Sequence, residues 1–320
     1  MEAVRVHPGG ELRFEQVADP SPRAGEVVVE SRAAGLNRRD LLVRRGVYEF
    51  PLPIVPGSDG AGVRRDSGEE VVIFPALGWG EREDAPGDGF RILGGPDPGT
   101  YAELVAVPAE NVFPKPPRLS WEEAASFPLA AVTAFRALFP RAALQPGETL
   151  LVLGAGSGVS TFAVSLARQA GARVLVTSSS PEKIERAAEL GAEGGALYTE
   201  DDWAEQIRML SGGGCDVVLD SVGSTWPASL RCLRKGGRLV ALGATGGASV
   251  ELDVRAFYFG HFTMLGTMMG SPRDFAELLA SIGRGGWSPV IDSVYPLADA
   301  ARAHERLESG EHFGKIVLRP

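Results

Sequence analysis

Between residues 149 and 268 the chain alternates short, unbroken apolar runs with segments of helical periodicity. The runs are TLLVLGA (149–155), RVLVTS (173–178), CDVVLDSV (215–222), RLVALGA (238–244) and FTMLGTM (262–268). The segments between them include STFAVSLARQAG and SPEKIERAAELG, each expected to end on its glycine as a C-cap. A strand that is apolar on both faces must be covered on both faces, and intervening helices supply the cover. The pattern therefore predicts a doubly wound parallel sheet, an α/β Rossmann architecture.

The first of these strands runs into GAGSGVSTF, a glycine-rich turn opening a helix. Backbone N–H groups and a positive helix end are then aimed at one place, which suits a pyrophosphate. Gly154, Gly156 and Gly158 permit close approach, while Val159 stands where a G-x-G-x-x-G pattern has its third glycine. At the end of the second strand, Thr177, Ser178 and Ser179 are hydroxyls rather than the acid that would accept a ribose 2′-OH, and Lys183 is the first cation beyond them. This favours NADPH over NADH. The same residues also fit a plain helix start, with Ser180 as N-cap and Pro181 in the first turn.

Outside this region the texture changes. Up to about Val107 the apolar segments are short and valine-rich (EVVVES, EEVVIF, AELVAV) and separated by Gly, Pro and Asp clusters, which predicts a β-rich, looped unit. Within it PGSDGAGV (56–63) reads as a tight turn. Ser120 followed by Glu123 marks a helix start, placing a boundary near Lys115 to Arg118. After Trp287 the valine-rich texture returns in VIDSVYPL and KIVLRP, strands expected to fold back on the first unit. The expected division is 1–117 with 288–320 for the β-rich domain and 118–287 for the dinucleotide-binding domain.

Composition narrows the function classes. With 32 Lys and Arg against 41 Asp and Glu the net charge is −9, which disfavours nucleic acid as a partner. The start of the chain has charges among its first apolar residues and reads as neither a secretory signal nor an anchor, so a cytoplasmic protein without membrane partners is expected. Cys215 and Cys232 with four scattered histidines provide neither a disulfide framework nor a Cys/His zinc set.

GLNRRDLLVRRGVYEFPLPIVPGSDGAGV early, GAGSGVSTFAVSLARQAGARVLVTSSSPEKIERAAELGA in the middle and LESGEHFGKIVL at the end together resemble the medium-chain dehydrogenase/reductase superfamily. Within it the chain is similar to the zinc-independent quinone oxidoreductase branch, over essentially its full length. The resemblance implies a GroES-like catalytic domain beside a Rossmann domain, an active site in the cleft between them, and a homodimer, for which FTMLGTMMG as an edge strand is a candidate interface. It places Thr133 beside the nicotinamide and phosphates, Gly156, Ser157, Gly158 and Val159 at the pyrophosphate, and Ser178, Ser179 and Lys183 at the 2′-phosphate. Ser221, Val222, Gly243, Ala244, Thr267 and Met268 are implied to line the cofactor through backbone contacts, and Lys315 to approach it. Zinc-dependent relatives place metal ligands at the positions of Asn37 and Ser58, and four cysteines in the lobe corresponding to GWGEREDAPGDGF. Both changes imply a chain without zinc.

Without a metal, oxidising a simple alcohol loses its main electrostatic support. A quinone or an α,β-unsaturated carbonyl is already electron-poor, and hydrogen-bond donors suffice for it. Tyr48 and Asn37 are the candidate donors, with Ser58 and Asp40 beside them. Trp79, Phe90 and Tyr101 shape either an acceptor pocket or ordinary core. An NAD(P)-dependent alcohol or aldehyde dehydrogenase, and a cofactor-binding regulatory or structural protein without turnover, remain the alternatives.

Overall fold

The computed structural model describes residues 1–285 and 287–320. It forms two compact units, Met1–Val132 with Gly270–Pro320, and Thr133–Met269. These divisions lie inside the dinucleotide domain expected from sequence. The reason is packing: helix Trp121–Ser126 lies against strands Glu26–Gly35 and Asp59–Arg64, and Phe275 of helix Pro272–Gly283 stacks on Phe74 and Phe127 and meets Phe113 edge-on.

The first unit is built on strand Glu26–Gly35, whose side chains alternate between buried and part-exposed over most of its length. It pairs antiparallel with Leu104–Pro108, Asp59–Arg64 and Lys315–Arg319. Lys315–Arg319 pairs in turn with Ile291–Pro296, so the two C-terminal strands do return to this sheet. PGSDGAGV is not a turn. Asp59–Arg64 is an inner strand between Glu26–Gly35 and Glu70–Ile73. Its glycines serve close approach: a Cβ at Gly62 would stand 2.0 Å from the Glu30 carbonyl oxygen, and one at Gly57 would meet the Tyr101 ring at 2.3 Å.

Ser120 caps its helix as expected, accepting from Glu123 N while the Glu123 carboxylate accepts from Ser120 N. Pro128 then breaks the apolar run SWEEAASFPLAAVTAFRAL, and a second helix, Pro128–Arg136, starts on it. Near the C-terminus, helix Ala300–Ser309 buries Ala300, Ala303, His304 and Leu307, one face of a helix.

His304 is the anomaly of that face. Its ring is fully buried edge-on to Tyr101, and neither ring nitrogen has a hydrogen-bond partner. Burial, with Arg44 adding to it, lowers its pKa to about 4. In the unfolded chain the ring takes up a proton near its ordinary pKa of about 6.5. Stability is therefore lost as pH falls from about 6.5 towards 4, by up to about 3 kcal/mol in all. H304F should remove this component, so that the difference in unfolding midpoint between the variant and the unaltered chain grows in the variant's favour as the pH is lowered across that window. A difference that does not change with pH would refute it.

The second unit is a six-stranded, all-parallel sheet in the order Gly194–Leu197, Arg173–Ser178, Thr149–Val152, Cys215–Asp220, Leu233–Ala241, Thr263–Gly266. This is the doubly wound arrangement, with its order reversing between Thr149–Val152 and Cys215–Asp220. Gly194–Leu197 was not among the expected strands. Its sequence, GGAL, has no β-branched residue, and it is held by pairing with Arg173–Ser178. Helix Pro181–Leu190 ends on left-handed Gly191 as expected, but helix Gly158–Gln169 is capped by Ala170, with Gly171 one residue further on. Among the described residues no helix is long and apolar enough to cross a membrane.

Candidate active site

In the second unit, loops leave the C-terminal ends of the strands on both sides of the point where the strand order reverses. The glycine turn comes first. Gly154 and Gly156 have φ of +76° and +103°, conformations that favour glycine. Ser157 is the N-cap of helix Gly158–Gln169, its Oγ accepting from Ser160 N at 3.1 Å. Ser160 Oγ lies 2.9 Å from both Gly154 O and Ser157 O, so a hydroxyl ties the turn together just beyond Val159. The first-turn N–H groups of Gly158 and Val159 are those that a helix leaves without internal partners, ready for an anion.

The neighbouring strands complete the cleft. Leu153, Ser157, Val159, Ser160, Ser221 and Leu242 line a shallow cleft at the switch point. Ser221 O accepts from Thr245 N, and Val222 O from Gly246 N at 2.8 Å, which brings the loop carrying Gly243 and Ala244 onto Ser221 and Val222. A Cβ at Gly243 would stand 2.7 Å from Ser221 O, so the approach depends on glycine there. Thr267 N donates to Ala241 O, its hydroxyl is buried without a partner, and Met268 beside it is exposed. Thr133 is buried on helix Pro128–Arg136.

At the end of Arg173–Ser178, Thr177 Oγ1 accepts from Gly154 N and Ser178 Oγ from Ser180 N. Ser179 is exposed and Lys183 half-buried, with Lys183 N donating to the N-cap Ser180. The helix-start reading of these residues is thus realised in the structure. One acid went unnoticed in the sequence: the Glu182 carboxylate accepts from Ser180 Oγ. Another is Asp220, a fully buried carboxylate holding the Ser221–Thr225 segment. The signal for it was an acid at the end of an apolar strand followed by SVGST.

In the first unit, Asn37, Asp59 and Lys315 form a buried network. Lys315 Nζ donates to Asn37 Oδ1 at 2.6 Å and lies 3.3 Å from Asp59 Oδ2, to which Asn37 Nδ2 also donates at 2.9 Å. Leu129 N donates to the other oxygen of Asp59 at 2.7 Å. Burial pushes the Asp59 carboxyl up, and these donors, Lys315 foremost, pull it back. Lys315 is therefore no surface lysine, and Asn37 spends much of its amide inside the protein.

Asp40 stands next to this network. Its Oδ2 accepts from Asn37 N and from Tyr101 OH, and burial raises its pKa to about 6 despite them. Tyr101 and Trp79 are core residues, the latter edge-on to Phe90, so the packing reading of these aromatics is the one realised. Ser58 donates to Leu93 O at 2.7 Å. Tyr48 is 41% exposed and stacks on Phe50. The sequence reading passed over Arg39, whose guanidinium reaches Ser58 Oγ, Leu93 O and Gly95 O and faces the Tyr48 ring at 5.7 Å.

The comparisons with known proteins agree with this architecture. The alcohol dehydrogenase GroES-like domain matches residues 23–117, and the zinc-binding dehydrogenase family matches residues 158–284. The chain is 37% identical to a zinc-type alcohol dehydrogenase-like protein of Schizosaccharomyces pombe, over 92% of this chain and 91% of that one. It is 35% identical to a quinone oxidoreductase of Pseudomonas aeruginosa, over 97% of this chain and 95% of the relative. A solved structure of an NAD-dependent alcohol dehydrogenase superposes with a TM-score of 0.94 at 37% identity, covering 100% of both chains. With both domain families present and relatives this similar over nearly the whole length, the chain belongs to the medium-chain dehydrogenase/reductase superfamily of NAD(P)-dependent oxidoreductases and is quinone oxidoreductase-like within it.

Proposed function

We propose that the chain transfers hydride from NADPH to quinones or α,β-unsaturated carbonyl compounds without zinc. The observation that carries this reading is the state of the two positions where zinc-dependent relatives hold their metal. Asn37 Oδ1 accepts from the Lys315 ammonium, Ser58 Oγ donates its hydrogen bond to Leu93 O, and the Arg39 guanidinium lies 3.4 Å from Ser58 Oγ. A divalent cation would meet two protein cations there, and its would-be ligands are already engaged. Among the described residues, no group of three or more His, Cys, Asp or Glu is placed to hold a metal.

The cofactor fits the second unit. Gly156, Ser157, Gly158 and Val159 would hold the pyrophosphate, and Ser221, Val222, Gly243, Ala244, Thr267 and Met268 the rest of the dinucleotide, with the unpartnered Thr267 hydroxyl as a ready hydrogen-bonding group. Thr133 and, as the family resemblance implies, Lys315 would approach the nicotinamide. Ser178, Ser179 and Lys183 would take the 2′-phosphate. Bound NADPH supplies the hydride; Tyr48 offers an exposed hydroxyl to the acceptor oxygen, and Asn37 fixes the base of that site. The exposed edge strand Thr263–Gly266 supports pairing with a second copy.

An NAD-dependent alcohol or aldehyde dehydrogenase is the second reading, favoured by Glu182 on Ser180 and by the name of the structural relative. The two separate in one assay. Purified chain with NADPH and, in turn, 1,4-benzoquinone, an enone and an aldehyde should consume NADPH with the first two, and NADPH should bind more tightly than NADH. Consumption with the aldehyde alone, or tighter NADH binding, would give the second reading. One zinc retained per chain after purification without added metal would overturn the metal-free chemistry.

A further inference from the structure

Arg39 is a half-buried cation whose partners are all neutral. Its Nη2 donates to Gly95 O at 2.7 Å and its Nη1 to Leu93 O at 3.3 Å, with Ser58 Oγ 3.4 Å away. The nearest acid in sequence, Asp40, attracts it through space but turns its carboxylate to Asn37 N and Tyr101 OH instead. Other arginines of its helix, Arg38–Arg44, and of the cap that ends it are anchored differently: Arg44 donates to Gly10 O, and the capping Arg45 pairs with Glu308. Burial lowers the Arg39 pKa, because it disfavours the charged form. Charges taken out of water are normally matched by a paired opposite charge; Asp40 acts on Arg39 through space, and among the described residues no carboxylate accepts a hydrogen bond from its guanidinium.

The geometry shows what would match it. A guanidinium has five N–H donors, and the three neutral acceptors leave two for a ligand. Leu93 O and Gly95 O fix the plane of the group, and Ser58 Oγ is itself held by its bond to Leu93 O. The guanidinium carbon stands 5.7 Å from the centre of the Tyr48 ring, which stacks on Phe50, so an aromatic wall borders the cation. A flat, conjugated oxyanion suits such a place.

We propose that Arg39, framed by Ser58 and Tyr48, binds the oxygen that becomes negative when the acceptor is reduced, as a phenolate or enolate. This rests on the reading of the chain as a quinone or enone reductase. In that reaction the hydride and its electron pair pass from NADPH to an acceptor carbon, the nicotinamide is oxidised, and the π electrons of the acceptor move onto its oxygen. That oxyanion pairs with the guanidinium until it takes a proton from water. Arg39 thereby does for the oxygen what a bound metal does elsewhere, with a charge that cannot be lost by deprotonation.

The test uses 4-nitrophenol, a coloured stand-in for the phenolate, with the full chain. Bound to the unaltered protein, its ionisation midpoint should fall by about one unit or more, as expected beside an opposite charge. R39Q should abolish that shift and R39K retain part of it. In the unaltered chain the probe should also protect Arg39, but not the exposed Arg82, from phenylglyoxal, a readout that needs no variant to fold. No binding of millimolar probe, an equal shift in R39Q, or no protection of Arg39 would each overturn the proposal. Turnover is read separately: if the unaltered chain reduces benzoquinone, R39Q should lower kcat by about a hundredfold, and an unchanged kcat would overturn the role in the reaction. If the unaltered chain reduces no acceptor while the probe responds to Arg39, the reductase reading fails and the oxyanion site stands.

Discussion

Replacing Lys315 by methionine is expected to cost about 3–5 kcal/mol near neutral pH, the range for removing one partner of a buried ion pair. The Lys315 side chain is 4% exposed and that of Asp59 is not exposed at all. Methionine matches the volume and apolar stem of lysine, so the loss is of charge rather than of packing. It strands the Asp59 carboxylate, which burial already pushes up and which would keep only Asn37 Nδ2 and Leu129 N as donors. It also strands Asn37 Oδ1, the acceptor of the shortest bond that Lys315 makes. The variant should therefore fold with Asp59 protonated. With a folded pKa raised above its unfolded value of about 3.9, its stability is lost as pH rises and returns as pH falls towards that value. The unaltered pair should show much less of this slope. D59N with K315M should recover more than half of the loss, because no carboxylate is left stranded: with the lysine gone the Asn37 amide can turn over, so that its Oδ1 accepts from the new NH2 while the new amide oxygen still accepts from Leu129 N. Urea unfolding at two pH values checks all three chains. A K315M cost below about 1 kcal/mol, the level of an exposed pair, would show that the network is not what holds this corner of the sheet.

Local periodicity made much of the architecture legible. Five of the six parallel strands announce themselves as apolar runs, and the caps at Ser120 and Ser180 lie where side-chain chemistry alone puts them. What escaped was set by tertiary contact. Gly194–Leu197 is a strand because Arg173–Ser178 offers it a hydrogen-bonding edge, not because GGAL prefers one. PGSDGAGV looks like a turn because glycine is the residue of turns, yet Gly62 is there because the Glu30 carbonyl leaves no room for a Cβ. The site shows the same division. The glycine turn at 154–158 is a local device and could be read. In GLNRRD, however, Arg38 and Arg39 are indistinguishable by type, and only the folded chain exposes the first and turns the second onto Leu93 and Gly95. Lys315 and Asn37 are 278 residues apart, beyond any pattern of spacing.

Asp220 carries the second large effect, and it joins stability to cofactor binding. The carboxylate is fully buried at the end of strand Cys215–Asp220. Its Oδ1 accepts from Val222 N at 2.8 Å and Gly223 N at 3.0 Å, and its Oδ2 accepts from Thr225 Oγ1 at 2.7 Å and Ser229 Oγ at 2.8 Å. Four donors occupy the four acceptor positions a carboxylate has. D220A leaves two backbone N–H groups and two hydroxyls without their acceptor, at about 1–3 kcal/mol for a group left buried and unsatisfied; because the hydroxyls can turn to other acceptors, the whole should come to about 3–5 kcal/mol. The same bonds shape the segment whose Ser221 and Val222 carbonyls receive Thr245 and Gly246. Loosening it frees both loops proposed to line the dinucleotide, so nucleotide affinity should drop about tenfold or more even under conditions where D220A is folded, the cost of roughly 1.4 kcal/mol in ordering them. D220N keeps an oxygen for the two backbone N–H groups and turns its NH2 towards the hydroxyls, which can accept as well as donate. Its loss should be less than half that of D220A in both measurements. Fluorescence titration with NADPH beside urea unfolding separates the two effects. Full affinity in a folded D220A would mean that the nucleotide does not depend on the Ser221 and Gly243 loops, and would move the proposed binding site away from the strand-order reversal.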